Sequence, residues 1–457
     1  MQPCQSIDTF EKDLDNLSEI QFASLKLLQP RKRTKAKLLD PPEPSITAMS
    51  VTDYIFTNIE HSVYFDEPGT GFGGIDLPFR YTSPCIKGEG KFYFFFYWDT
   101  AFTQYALYAT GHPDIAKANI QNMLWLIRRQ GYMPNHVGIH NRSQSPYLCR
   151  LVVDYFVHIG GPEADSDFFR ECAEGLLQEY NWWTSARLHP TGLSQHRTHE
   201  TWEGMEKFAD NRRVAKICPS QGKTLAEKRR IGAHYLAEAE ATCDFTPRFE
   251  KRCLDYVQCD LNGLLYEYEL FFAEHSERLG WDFDIDWVAR AELRKERLNQ
   301  YCWSEARGLF LDYDGVNDRH SPVAALTGVQ LLMHGIPSDA QAARIVKNLA
   351  LFEREFGVGY TEECPNCTDY QWAFPTVWPP MVQNTVQGLA RYGFHQEARR
   401  IAQKYIDVTD HLFEEKGKIF EKTDAETGRL SEAEYDPPPM IGWTAGVYLS
   451  CQNYLKN

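Results

Sequence analysis

Two separated stretches of the chain set aromatic rings beside groups that hydrogen-bond. One is Lys91-Phe92-Tyr93-Phe94-Phe95-Phe96-Tyr97-Trp98-Asp99, and the other is Gln371-Trp372-Ala373-Phe374-Pro375-Thr376-Val377-Trp378-Pro379-Pro380. A pyranose has apolar C–H faces and a rim of hydroxyls, so a site for it wants indole faces beside carboxylates, amides and cations. The same runs equally suit the core of a helical domain, where aromatic residues usually go. Splitting a glycosidic bond would further need two carboxyl groups. One protonates the departing oxygen and the other acts from the opposite side of the ring. With 63 Asp and Glu in the chain, composition cannot choose that pair. No constellation of His, Cys and carboxylates has metal-site spacing. The glycines of Gly69-Thr70-Gly71-Phe72-Gly73-Gly74 lead into Ile75-Asp76-Leu77-Pro78 rather than a helix start, which makes a weak nucleotide signal. Neither a metal nor a cofactor is therefore expected.

At 457 residues the chain can bury a large core. Its 48 Lys and Arg against 63 Asp and Glu give a formal charge of -15, which disfavours nucleic acid or an anionic membrane as partner. A neutral carbohydrate is indifferent to that charge. No apolar run is long enough to span a bilayer, and Met1-Gln2-Pro3-Cys4 lacks the basic start and apolar stretch of a signal peptide. The twelve cysteines show no framework spacing, so reduced thiols and a cytoplasmic location are expected. The close pair Cys364 and Cys367 is half of a zinc-ribbon pattern and reads as an inert loop pair. Oligomeric state is left open.

The elements that must position a site read as helical. Residues 1–50 form an N-terminal extension, with the basic run Arg31-Lys32-Arg33 and then Pro41-Pro42-Glu43-Pro44 as linker. Between Pro113 and Gly131 the residues Ala116, Ile120, Met123, Leu124 and Ile127 fall on one helical face; proline suits the start and glycine the stop. Ala398, Ile401, Ala402, Tyr405 and Leu412 repeat that spacing. A short pattern also recurs: Leu107-x-x-x-Gly111 then Ala116, Leu331-x-x-x-Gly335 then Ala340, Leu389-x-x-x-Gly393 then Ala398. Each reads as a helix ending at glycine and the next beginning, with alanine at a close contact. About six or seven such hairpins would close into an all-α toroid.

The order of residues in both aromatic runs resembles the signature segments of the α,α-trehalase family, roughly P-G-G-R-F-x-E-x-Y-x-W-D and Q-W-D-x-P-x-G-W-x-P. The first matches at Gly90, Phe92, Trp98 and Asp99, and the second at Gln371, Trp372, Pro375, Trp378 and Pro380. Further matches keep the family's order. Pro134-Asn135 and Asn141-Arg142-Ser143-Gln144-Ser145-Pro146 are similar to I-P-N and N-R-S-Q-P-P. Glu200-Thr201-Trp202 stands in the place of R-P-E-S-Y. Glu238 to Phe245 looks like E-S-G-W-D-F/Y, with Asp260-Leu261-Asn262 after it. Phe420-Glu421-Lys422 is similar to F-V-E-K-Y, and Glu434-Tyr435 with Gly442-Trp443-Thr444-Ala445-Gly446-Val447 to G-E-Y and G-W-T-N-G-V.

The resemblance implies an (α/α)6 toroid over residues 51–457 and an inverting glycoside hydrolase. It puts the general acid at Asp244 and the base at Glu421. A setting of Cys243, Phe245 and Pro247 would help Asp244 keep its proton. Bland readings stand beside these: a helix N-cap for Asp244 and a surface glutamate beside Lys422 and Lys418 for Glu421. Lys91, Asn135 and Arg142 are placed as donors to sugar hydroxyls and Asp99 as an acceptor, with Gln144 and Glu200 as further polar contacts. Phe92 and Glu434 belong to the same set, and Trp98, Trp378 and Trp443 are the stacking candidates. Lys91 stands where the family has arginine, Ala373 where it has aspartate, and Thr242-Cys243 where it has Gly-Trp. The substrate implied is trehalose or a related α-glucoside; Lys91, Ala373 and the shortened loop before Glu434 remove groups that would grip the sugar, so trehalose is expected to be a poor substrate. Other members of the reading are a toroid glycosidase for another α-linked oligosaccharide or a sugar–glycerate conjugate, a phosphorylase, and a sugar-binding protein without turnover.

Overall fold

The computed structural model describes residues 49–281 and 285–457. The expected N-terminal extension thus lies outside the described residues except for its last two. Helix α1 (Val51–Asn58) starts at Ser50, whose side chain accepts from the Asp53 N–H. It is followed by α2 (Tyr97–Thr110), α3 (Pro113–Gln130), α4 (Leu148–Ile159) and α5 (Ser166–Ser185). Three helices then fill one long connection: α6 (Trp202–Ala209), α7 (Arg212–Ile217) and α8 (Leu225–Glu240). The rest are α9 (Cys259–Leu279), α10 (Trp287–Tyr301), α11 (Leu326–Gln330), α12 (Asp339–Lys347), α13 (Pro379–Arg391), α14 (His395–Lys416) and α15 (Gly442–Lys456).

Six of these pack side by side in a closed ring, in the order α2, α4, α9, α11, α13, α15 and back to α2. Helices α3, α5, α10, α12 and α14 follow their partners as the outer layer, and α1 lies against α14. This is the expected toroid of helical hairpins. Its reasons are local. Gly111 ends α2 in the left-handed conformation (φ 83°), Pro113 opens α3 at its first turn, and Gly131 (φ 85°) stops it. All five residues of the expected α3 face are buried, and so are those of α14. The repeat is correct at Ala116 and Ala398, which are buried. It fails at Ala340, which is exposed because the turn after Gly335 delays α12, and Ala342 makes the packing contact instead.

Closure of the ring needs one close approach. A Cβ on Gly446 of α15 would sit 1.8 Å from the Phe102 carbonyl oxygen of α2, so only glycine lets these inner helices touch. Strands are short and serve the connections. Thr376–Val377 pairs antiparallel with Thr423–Asp424, with Thr376 opposite Asp424, tying the second aromatic run to the segment after Glu421. One expectation about the cysteines is corrected. Cys364 and Cys367 are disulfide-bonded, because the turn through Asn366 (φ 59°) brings their Cα atoms to 5.4 Å. Among the described residues nine other cysteines are free thiols, most of them buried.

Candidate functional site

At one end of the toroid a cavity of about 630 Å³ opens between the starts of α2, α13 and α15 and the loop after α8. Asp244 and Glu421 both stand on its wall. A larger cavity, about 790 Å³, lies between α4, α5 and α9; it holds none of the expected site residues, and its walls are mostly apolar around an Arg150–Glu267 ion pair. The first cavity is the one of these two that holds the expected site residues.

Asp244 sits in a loop whose backbone is forced. Thr242 (φ 71°) and Phe245 (φ 51°) flank it in the left-handed region, which costs a non-glycine residue roughly 1–3 kcal/mol. The family pattern has glycine where Thr242 stands. Here threonine holds the same conformation with two hydrogen bonds, donating to Ser145 Oγ (2.9 Å) and accepting from the Ser145 N–H (3.1 Å). The Phe245 carbonyl accepts from the N–H groups of Gln371 and Trp372, which fastens the second aromatic run to this loop. Asp244 is not a helix cap, since Thr246 caps the short helix Pro247–Phe249. Burial, and then the nearby Glu434 carboxylate, push the Asp244 carboxyl up to about 7, against the pull of Arg213 and Arg142.

Glu421 is only 2 % exposed, which rules out a surface glutamate. Its Oε1 accepts from the Tyr435 hydroxyl at 2.8 Å, while Oε2 is buried with no partner among the described residues. Its backbone is fixed on both sides. Its N–H donates to the Pro438 carbonyl, and its own carbonyl accepts from Trp443 Nε1 (3.2 Å). Burial raises this carboxyl too, to about 7, opposed by Lys422, by the Tyr435 hydrogen bond and by Lys91. Lys422 is itself buried, donates to the Ala433 carbonyl at 2.5 Å and is pushed down to about 8 by burial. It lies 4.0 Å from the Tyr435 ring centre, and Lys91 lies 3.7 Å from it. Two ammonium groups thus attend the phenol that serves Glu421.

Of the other expected residues, Phe92, Trp98, Asp99, Asn135, Arg142, Gln144, Trp378 and Trp443 are on the wall. Asp99 is buried and raised to about 8, chiefly by desolvation. Gln144 spends Oε1 on the start of α2, accepting from the Trp98 N–H at 3.1 Å. Asn135 donates from Nδ2 to the Ala239 carbonyl at 3.3 Å. The indoles pack largely on each other: Trp372 stacks on Trp378 at 3.8 Å, so one face of Trp378 is closed to a sugar. Trp98 meets Trp443 edge-on at 5.8 Å.

Three expected contacts stand behind the wall. Glu200 accepts from Asn141 Nδ2 (2.6 Å), whose Oδ1 accepts from Arg142 Nη1 (2.8 Å), so it steers Arg142 through Asn141. Glu434 ion-pairs with Arg213 Nε at 2.6 Å, and Lys91 packs on Tyr435. Ala373 is buried beside Cys367 and Phe374, away from the cavity.

Sequence reasoning missed Arg213 and Tyr435, both on the wall. Arg213 comes from α7, a six-residue helix capped by Asn211 in the long connection. Asn211-Arg212-Arg213 carries no pattern that would mark it. Tyr435 follows Glu434 in the match to G-E-Y, a position that by itself marks no role. Cys259, Asp260 and Asp312 lie close enough together to suggest a metal, but the Arg248 guanidinium donates to both carboxylates and fills the place of a cation. No helix among the described residues is long and apolar enough to cross a membrane.

A family model described as trehalase matches residues 80–456. The cytosolic neutral trehalase of Emericella nidulans is 29% identical over 390 residues, 75% of this chain and 52% of that protein. The periplasmic trehalase of Xanthomonas oryzae pv. oryzae is 26% identical over 408 residues, 83% of this chain and 68% of that one. The chain spans about half the length of the first fungal relatives it matches. Among solved structures, the neutral trehalase of Saccharomyces cerevisiae superposes with a TM-score of 0.70 at 22% identity, covering 97% of this chain and 94% of that chain. Mannosylglycerate hydrolase from Thermus thermophilus superposes at 0.56 with 17% identity, covering 82% and 96%. Both likenesses concern the toroid.

Proposed function

Since this chain belongs to the trehalase family, we propose that residues 51–457 are one catalytic domain that hydrolyses, with inversion, the α-glycosidic bond of a small neutral sugar, trehalose or a related α-glucoside. The observation that carries the reading is the pair Asp244 and Glu421 on one cavity wall, each buried and each titrating near 7. Near neutral pH such a pair can hold one proton between them, as an acid and a base must. Asp244 protonates the departing oxygen. Glu421 takes a proton from a water on the far side of the ring through its unpartnered Oε2. Arg142 and Asn135 donate to sugar hydroxyls, Asp99 accepts, and Arg213 lies where it can reach the leaving sugar or its hydroxyls.

Relatives of both cytosolic and periplasmic name are matched. The mostly free, buried cysteines favour the cytoplasm for this chain.

The test is hydrolysis of trehalose and other α-glucosides followed by proton NMR. Inversion releases the sugar on the attacked side as the β-anomer, so trehalose should first yield α- and β-glucose in equal amounts; α-glucose alone would reject inversion. Asp244→Asn and Glu421→Gln should each cut kcat by roughly 10²–10⁴-fold with unchanged thermal melting. Either variant turning over at near the native rate would reject the assignment.

A further inference from the structure

We propose that the Cys364–Cys367 disulfide is a redox-sensitive catch on the candidate site: a thiol reductant opens it and loosens Gln371, which orients the phenol that serves Glu421. What the catch regulates rests on the proposed hydrolase reading, but the catch itself rests on its own geometry. Gln371 Nε2 donates to the Tyr435 hydroxyl at 3.2 Å, and that hydroxyl donates to Glu421 Oε1 at 2.8 Å. A phenol has one proton, so an amide on its acceptor side commits that proton to Glu421. The backbone of the same segment reaches the other carboxylate loop. The N–H groups of Gln371 and Trp372 both donate to the carbonyl of Phe245, the residue after Asp244. Gln371, Trp372 and Tyr435 all line the cavity. One short segment therefore touches the settings of both carboxyl groups.

The disulfide sits at the root of this segment. Cys367, Ala373 and Phe374 form one buried cluster, with Cys364 and Tyr370 packed against it. Thr361 joins its two ends: its Oγ1 lies 3.9 Å from Cys367 Sγ and accepts from the Phe374 N–H at 3.0 Å. Ala373 is 1 % exposed, so the aspartate of the signature pattern would bury a carboxylate beside the bridge. Within the turn Asn366 is left-handed (φ 59°), a conformation unfavourable to a residue with a side chain and held here by the covalent tie across it. Opening the bridge frees Asn366 to leave that conformation and Cys367 to leave the cluster on which Ala373 and Phe374 rest.

A bridge within one turn adds little to global stability, because it closes a very short loop in the unfolded chain. Its placing suits thiol exchange instead. Cys364 is half-buried between the exposed Glu363 and Pro365, whereas Cys367 is buried. A thiolate of a dithiol reductant attacks Cys364 Sγ, forming a mixed disulfide and expelling Cys367 as thiolate. The second thiol of the reductant then displaces Cys364. The reductant leaves as its own disulfide, oxidised by two electrons, and its two protons end on Cys364 and Cys367. The nine other cysteines among the described residues are unbridged thiols. A single bridge beside so many free thiols fits a switch better than a disulfide framework.

The experiment follows the native protein oxidised, after dithiothreitol, and again after oxidised glutathione. N-ethylmaleimide labelling with peptide mass mapping should find Cys364 and Cys367 only in the reduced state. Hydrogen-exchange mass spectrometry should show faster exchange at Gln371 and Trp372 on reduction, with the helices of the ring unchanged. On an α-glucoside that the oxidised protein cleaves, kcat should fall roughly three- to tenfold with KM little changed, the size of one hydrogen bond. Oxidised glutathione should restore it. Cys364→Ser should hold the reduced rate and ignore both reagents. A bridge that dithiothreitol leaves closed in the folded protein overturns the proposal. So does opening with no change in exchange at Gln371 and Trp372, or with unchanged kcat in an active protein. Loss of protection throughout the ring would make the bridge a structural staple and also overturns it. Exchange that responds to reduction in a protein without turnover in either state keeps the catch and sinks the hydrolase reading.

Discussion

At the scale of single residues, the site works by opposing burial with a few placed charges and hydrogen bonds. Tyr435 favours the ionised form of Glu421, so Tyr435→Phe should raise the Glu421 pKa. The proposed mechanism uses that carboxylate ionised, so loss of activity on the acid side should then set in at higher pH. Arg213 favours the ionised form of Asp244, so Arg213→Gln should raise that pKa. The proposed mechanism uses Asp244 protonated, so loss of activity on the alkaline side should move upward too. The pH profile of kcat/KM for the native protein should be a bell centred near neutrality, with each variant displacing one limb. A variant that moves the opposite limb would reverse the acid and base assignments. Asp244, Glu421 and most of the cavity wall were legible in the sequence because they sit in ordered motifs. Tyr435 and Arg213 were not. Each gains its role only when a connection folds back across the cavity, and no residue spacing encodes that return.

At the scale of elements, the last residue of α8 fastens the two halves of the wall together. Glu240 is fully buried and accepts from Arg187 Nη2 (2.7 Å) and from the N–H groups of Ser143 (2.9 Å) and Arg197 (2.8 Å). Arg187 holds its carboxyl down at about 2 in spite of burial. Ser143 adjoins Arg142, and Glu240 lies four residues before Asp244, so one carboxylate sets the donor loop against the acid loop. Glu240→Gln leaves the Arg187 charge without its counterion in a dry place, and breaking such a pair costs about 3–5 kcal/mol. Urea denaturation should show a loss of that size. A change below about 1 kcal/mol would mean that water, or the ring nitrogen of His199 that lies 3.3 Å from Arg187 Nη2, takes over those hydrogen bonds. The helices themselves were readable where their period and stops agree, as in α3 with its proline, its apolar face and Gly131. The repeat misplaced Ala340 because a turn of variable length between hairpins shifts the contact position without changing the glycine. The disulfide was unreadable for a similar reason: pairing within a four-residue turn depends on the backbone angle at Asn366, not on cysteine count.

At the scale of the whole molecule, the toroid separates support from chemistry: hairpin packing makes the ring, and the segments at one end carry the site. The formal charge of -15 is spread over a molecule whose cavity gathers Arg142, Arg213 and nearby Lys91 and Lys422, so the cationic groups that oppose burial of the two carboxylates are local. The close contact of Gly446 with the Phe102 carbonyl, by which α15 meets α2, also has a meaning in time. Glu421 and the helix that fastens its backbone come from the last hairpin of the ring, whereas Trp98, Asp99 and Asp244 come from much earlier in the chain. Early hairpins can form from local contacts, but the two carboxylates meet only when the last helix docks on the first, a contact that closes a very long loop. In refolding from urea, helical circular dichroism should therefore recover before hydrolytic activity. Simultaneous recovery of the two signals would mean that the ring closes as early as its hairpins form. The ring has a seam, and the proposed hydrolysis would report the moment it shuts.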